Sequence, residues 1–266
     1  MIVDLHCHLL KEEGYLENLV RQVKKLGVSK ICLNGLGKLY DELGNEEVKE
    51  AFLKYPHLII GFGHLRLGKD AVEKVDELYE AGFRGLKVIN PTKNYDDKDF
   101  YPYYVQAEKH SMPILFHTGM VKRTDKDKFY DISSERMRPI YLDTIARAFP
   151  HLTLIGAHLG GPWFREAADV LRFNPNVYFD ITGSIYGWIR KTPQFFRNYF
   201  WWEGAWDKVI FGSDVHFSQI NKVIANYRGV LEALKVDEDT QNKIFGETAM
   251  RILNLKSNYS PQRSQR

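Results

Sequence analysis

The sequence predicts a single-domain (β/α)8 barrel, an α/β fold. Three observations carry that reading. Eight short apolar runs recur along the chain, separated by segments with helical periodicity. Eight such units in about 250 residues suit a closed ring of strands. No linker, repeat or low-complexity block interrupts them. Strict strand-helix alternation means parallel strands joined by crossover helices. An open doubly wound sheet is the structural runner-up. That fold usually carries a glycine-rich phosphate turn after its first strand. Here the place holds His8, Leu9, Leu10, Lys11 and Glu12.

The elements follow in order. Ile2 to Cys7 reads as strand one. Leu16, Leu19, Val20, Val23 and Leu26 then form one helical stripe over 15–26, stopped by Gly27. Val28 to Asn34 is strand two, with a helix near 46–54 behind it. Leu58 to His64 is strand three. Asp70 and Glu73 have capping-box spacing and open a helix ending at Gly82. Gly85 to Asn90 is strand four, closed by Pro91, and 99–111 is helical. Pro113 to Thr118 is strand five. A long polar segment, 119–137, separates it from a helix over 139–149; such lengths belong to functional lids or disordered loops. Leu152 to His158 is strand six. Gly160, Gly161 and Pro162 open the next helix, with the proline in its first turn. Asn176 to Thr182 is strand seven and Lys208 to Asp214 strand eight. Helices over 219–234 and 238–253 finish a barrel spanning 1–255. Residues 256–266 read as a polar flexible tail.

Composition narrows the function classes. The chain is 44% hydrophobic, enough for one large core. A net charge of +3 is too mild to argue for nucleic acid or an anionic membrane. No apolar run approaches the roughly 20 residues of a membrane span. Two cysteines, Cys7 and Cys32, and no signal peptide ahead of strand one favour a reducing, cytoplasmic setting. The expected partner is a small-molecule substrate. A homodimer is left open.

The candidate site comes from where the histidines fall. In such barrels the chemistry sits at the C-terminal ends of the strands. His6 and His8 end strand one, His64 strand three, His117 strand five, His158 strand six and Asp214 strand eight; His216 follows two residues later. Lys87 lies on strand four. His57, His110 and His151 fall in helix-to-strand connections on the opposite rim and read as solvated surface residues. A lone histidine at a strand end is more often a hydrogen-bonded rim residue than a ligand. Several converging on one aspartate are what a divalent metal requires. His6, His8, His117 and Asp214 are therefore the candidate ligands. His158 is divided between ligand and catalytic group beside the metal. Lys87 is divided between an acid-paired rim lysine, a substrate-carboxylate binder and, once carbamylated, a metal bridge. His64 and His216 are candidate substrate contacts or simple rim polar groups. Asp4 reads as a hydrogen-bonding member of the barrel interior, and Asp180 stays unassigned.

This pattern resembles the amidohydrolase superfamily. The resemblance rests on His-x-His in strand one with His117, His158 and Asp214. Phe149 to Gly161 (FPHLTLIGAHLGG), Phe211 to Asp214 (FGSD) and Ile244 to Leu255 (IFGETAMRILNL) are similar to the branch that includes aminocarboxymuconate semialdehyde decarboxylase and lactone hydrolases. It covers residues 1 to 255. It implies one ion, zinc by its donor set, with a second left open, held by His6, His8, His117 and Asp214 beside His158. It also implies a metal-dependent hydrolase of a lactone, ester or amide, with Asp214 and His158 as catalytic groups. The alternatives are a non-oxidative decarboxylase on the same site and, behind both, a non-catalytic metal-binding barrel. Strand four departs from the branch: Gly85 to Pro91 (GLKVINP) keeps its lysine but not its usual histidine, and Glu247 stands where asparagine is common. TatD-type nucleases share the opening His-x-His but look for a glutamate on strand four, which is absent here.

Overall fold

A computed structural model of the chain describes residues 1–183 and 192–255. The expected tail, 256–266, lies outside the described residues. Eight strands run in sequence order round one sheet: β1 (Ile2–His8), β2 (Val28–Asn34), β3 (Ile59–Leu65), β4 (Gly85–Val88), β5 (Ile114–Phe116), β6 (Leu154–Gly156), β7 (Val177–Asp180) and β8 (Val209–Ile210). Every neighbouring pair is parallel. The ring closes between β8 and β1, where the Leu5 N–H donates to the Phe211 carbonyl (3.0 Å) and the Asp214 N–H to the His6 carbonyl (2.8 Å). The fold is the (β/α)8 barrel.

Helices α1 (Tyr15–Lys25), α2 (Asn45–Lys54), α3 (Lys74–Glu80), α4 (Tyr101–Lys109), α5 (Tyr141–Ala148) and α6 (Phe164–Phe173) wrap the strands. α1 buries Tyr15, Leu19, Val20 and Val23, close to the stripe its spacing predicts. Inside the ring, Val3, Leu5, Cys32, Ile60, Phe62, Leu115, Ile155 and Ile210 form a second apolar cluster. Ala249, Met250, Ile252 and Leu253 of the closing helix join it. That packing fills the barrel below the mouth and leaves the strand C-termini for chemistry. Cys7 and Cys32 are free and buried.

Two local expectations differ, and one helix is additional. α3 starts four residues later than the capping signal suggests, because the Asp70 carboxylate accepts from the Arg66 N–H (2.7 Å) behind it. Pro162 lies two residues ahead of α6 rather than in its first turn. A helix over Pro193–Tyr199, capped by the Thr192 hydroxyl, precedes β8. Its sequence (PQFFRNY) buries Phe196 alone and exposes Gln194, Arg197 and Asn198, and at seven residues it is too short for that period to stand out. Among the described residues no helix is long and apolar enough to cross a membrane.

Candidate metal centre

The strand ends gather most of the expected residues into one pocket of about 240 Å³. It is lined by His6, His8, Lys87, His117, His158, Asp214 and His216, with Leu10, Leu36, Tyr40, Ile89 and Val121 as its walls. The register of β1 slips between Asp4 and Cys7, an interval that contains His6 and precedes His8. Gly212 lets β8 approach: a Cβ there would sit 2.8 Å from the His6 Cβ. Asp214 and His158 hold left-handed backbone (φ 49° and 63°), a conformation costly outside glycine that clusters at functional sites.

Three donor atoms form a tight face. His6 Nε2 lies 3.1 Å from His8 Nε2. Asp214 Oδ1 is 3.1 Å from His8 Nε2 and 3.5 Å from His6 Nε2. The other ring nitrogens are engaged on buried carboxylates: His6 Nδ1 on Asp180 Oδ2 (2.8 Å) and His8 Nδ1 on Glu42 Oε2 (2.9 Å). A carboxylate only accepts, so each Nδ1 carries a proton, and the Nε2 of each neutral ring presents a lone pair. Two lone pairs at 3.1 Å cannot hydrogen-bond; they need a cation or a proton between them. Ligands at tetrahedral zinc are about 3.3 Å apart, given zinc–nitrogen bonds near 2.0–2.1 Å. The face fits such an ion, with the carboxylate-backed imidazoles that metal-binding histidines usually show.

The electrostatics agree. Asp180, Asp214 and Glu42 against Lys87 leave a surplus of negative charge around the imidazoles, which favours a cation or a proton there. Burial works against ionised Asp214, but His6, His8 and His158 outweigh it and hold its carboxyl well below the usual range. Burial also opposes a charged His8, yet Glu42 and Asp214 together carry its pKa up to about 9. Burial draws Lys87 down to about 8 and His158 to about 4. Asp4 is buried and pushed up to about 7 by desolvation; it accepts from the Ser213 and His6 N–H groups and ties β8 to β1 below the site.

The remaining expected residues divide. His117 faces the pocket but pairs with His158 rather than completing the three-atom face. Its Nδ1 is 3.3 Å from His158 Nε2, and its own Nε2 is buried without a hydrogen-bond partner among the described residues. Lys87 reaches the floor, with Nζ 3.0 Å from His6 Nε2, deeper than a rim lysine. His216 lines the mouth and meets Glu12 (3.0 Å). His64 does not line the pocket; Asn45 bonds its backbone on both sides, and burial lowers its ring to about 4. In the 119–137 segment, Val121 and Lys122 line the pocket, whereas Arg136 pairs with Asp131 (2.8 Å); Arg138, just past it, pairs with Glu166 and Glu135. Lys126 ties the segment to Asp41 (2.5 Å).

The profile of the amidohydrolase family matches residues 42–255, four-fifths of the sequence. The chain belongs to the amidohydrolase family. No curated protein matches it. Among solved structures this amidohydrolase is similar to a protein from Acinetobacter baumannii described as a probable 2-pyrone-4,6-dicarboxylic acid hydrolase with citric acid bound. The two share 13% identity over 96% of this chain and 99% of that one, with a TM-score of 0.67. It is similar to a 5-carboxyvanillate decarboxylase from Sphingomonas paucimobilis (12% identity, 96% and 99% coverage, TM-score 0.65). It is also similar to an amidohydrolase from Burkholderia multivorans with bound zinc (13% identity, 96% and 100% coverage, TM-score 0.67). At these identities the likeness is one of fold.

The sequence did not single out Glu42, and it left Asp180 without a role. Asp180 was visible inside strand seven, level with Ile210 of β8, but nothing in its spacing marked it as a partner of His6. Glu42 sits in the connection between β2 and α2, where no periodicity or motif marks it.

Proposed function

We propose that this amidohydrolase is a metal-dependent hydrolase that opens a lactone, ester or amide of a small acidic molecule. The observation that carries the reading is the three-donor face of His6 Nε2, His8 Nε2 and Asp214 Oδ1, with both imidazoles backed by carboxylates. Three protein donors leave a position open for substrate, as catalytic rather than structural zinc requires. When bound, such an ion supplies a Lewis acid that brings the pKa of water from 15.7 toward about 7. Asp214 Oδ2, turned away from the face toward His158 (3.6 Å), accepts the proton of the attacking water and returns it to the leaving group. His158 orients that water. Lys87 from the floor and Lys122 from the wall hold a substrate carboxylate between apolar sides. His117 completes the polar side of the pocket, and His216 meets substrate at the rim.

Decarboxylation is the rival on the same residues. Lys87, 3.0 Å from His6 Nε2, would keep a carboxylate against the metal face, as carbon–carbon cleavage needs. A panel of lactones and carboxylated aromatic acids, run with the zinc-reconstituted and chelated protein, tests the proposal. Zinc-dependent ring opening without carbon dioxide supports it; carbon dioxide release transfers the site to the rival, and full turnover after chelation removes both.

A further inference from the structure

Asp180 does more than back one histidine. It is buried at the end of β7 and receives four hydrogen bonds, from residues at the ends of β1, β6 and β7 itself. Oδ2 accepts from His6 Nδ1 (2.8 Å). Oδ1 accepts from the His158 N–H (2.8 Å), the Thr182 N–H (3.0 Å) and the Thr182 hydroxyl (2.5 Å). An ionised carboxylate contributes no hydrogen, and a threonine hydroxyl has only one. Because that hydrogen goes to Asp180, the Thr182 oxygen can only accept from His158 Nδ1, 2.7 Å away. The other group near that nitrogen, Asp214 Oδ2 at 3.6 Å, is also an acceptor. Both neighbours of that nitrogen accept, so it carries a proton.

We infer that Asp180 and Thr182 are positioning residues that lock His158 in its Nδ1–H tautomer, and that the same carboxylate locks His6 likewise. His158 then presents its Nε2 lone pair to the site, on the side of His117 Nδ1 3.3 Å away. It accepts a hydrogen bond from water or binds an ion there, and it does not donate to a substrate carbonyl. The left-handed backbone of His158 (φ 63°) fits this lock. The strained residue is pinned by its N–H to Asp180 and by its ring to Thr182, so β7 sets both its place and its proton. The catalytic weight of the lock rests on the hydrolase reading; the tautomers themselves do not.

The test is imidazole nitrogen-15 NMR of the full-length protein at pH 7.5, zinc-loaded and chelated, with long-range proton correlations that distinguish the two tautomers. His6 and His158 are expected as Nδ1–H in both preparations. Thr182→Val, nearly isosteric, should convert His158 to a tautomer mixture while His6 stays unchanged and reports an intact site. Thr182→Ser should restore the wild-type pattern, and Asp180→Asn should disturb both rings. In turnover, Thr182→Val should lower kcat about tenfold at an unchanged KM, the lower end of what outer partners of metal-site histidines contribute. An Nε2–H His158 in the wild type, or a Thr182→Val spectrum with His158 unaltered, overturns the inference. A protein with the expected tautomers that opens no lactone, ester or amide refutes only the hydrolase reading.

Discussion

At the C-terminal end of the strands, His6, His8, His117 and His158 crowd one pocket with ring nitrogens 3.1–3.3 Å apart in pairs. At the opposite rim, three more histidines of the same chain lie dispersed. His57 and His151 are exposed, as expected of solvated residues. His110 is not: it packs between Asp76 (2.5 Å) and the Tyr79 ring (4.1 Å between centroids) as a local brace. The residue type is identical at the two ends. At the mouth, buried carboxylates orient the protons away from a shared centre; at the base, each histidine answers only to its neighbours. A metal site is therefore a property of converging lone pairs and not of histidine content.

The sharpest way to break this contrast is at Asp214. Asp214→Asn should cut turnover of any lactone or ester substrate about a thousandfold, within the range of lost general acid–base catalysis, and leave Tm near the wild-type value. A loss below tenfold would show that the aspartate is not part of the reacting centre. Glu42→Gln, which weakens the acceptor behind His8, should cost 10–100-fold in zinc affinity by competition titration. An unchanged affinity would confine the outer carboxylates to a structural role.

Acidity sharpens the comparison further. In the chelated protein His8 keeps its proton up to about pH 9, so ion uptake below that pH must expel it. Apparent zinc affinity should rise about tenfold per pH unit as pH approaches 9 and flatten beyond it. A pH-independent affinity from 6 to 9 would contradict the predicted coupling. The smallest effect belongs to the base: His110→Ala should lower Tm by a few degrees and leave kcat and zinc affinity untouched. Loss of zinc in that variant would erase the distinction between the two rims.

Much of this arrangement was legible in the sequence because a barrel converts chain order into position. Once eight strands are recognised, residues at their C-terminal ends must share one mouth, and His6, His8, His117, His158 and Asp214 are found there. The outer carboxylates were harder to read. Glu42 reaches His8 from a loop with no repeating pattern, and Asp180 faces inward through a strand too short to reveal its parity. The slip in β1 was equally hidden: strict alternation would put Asp4 beside His6 and His8, whereas the register shift leaves Asp4 below the mouth, bonded to the Ser213 N–H. Electrostatic partnership across a barrel depends on register, and sequence spacing alone does not fix it.

The most direct measurement is anomalous scattering at the zinc edge from crystals of the zinc-reconstituted protein. A single strong peak within about 2.0–2.3 Å of His6 Nε2, His8 Nε2 and an Asp214 carboxylate oxygen is the predicted result. Stoichiometric zinc found elsewhere, or no zinc retained after reconstitution, would contradict the claim that these three atoms form a metal-binding face.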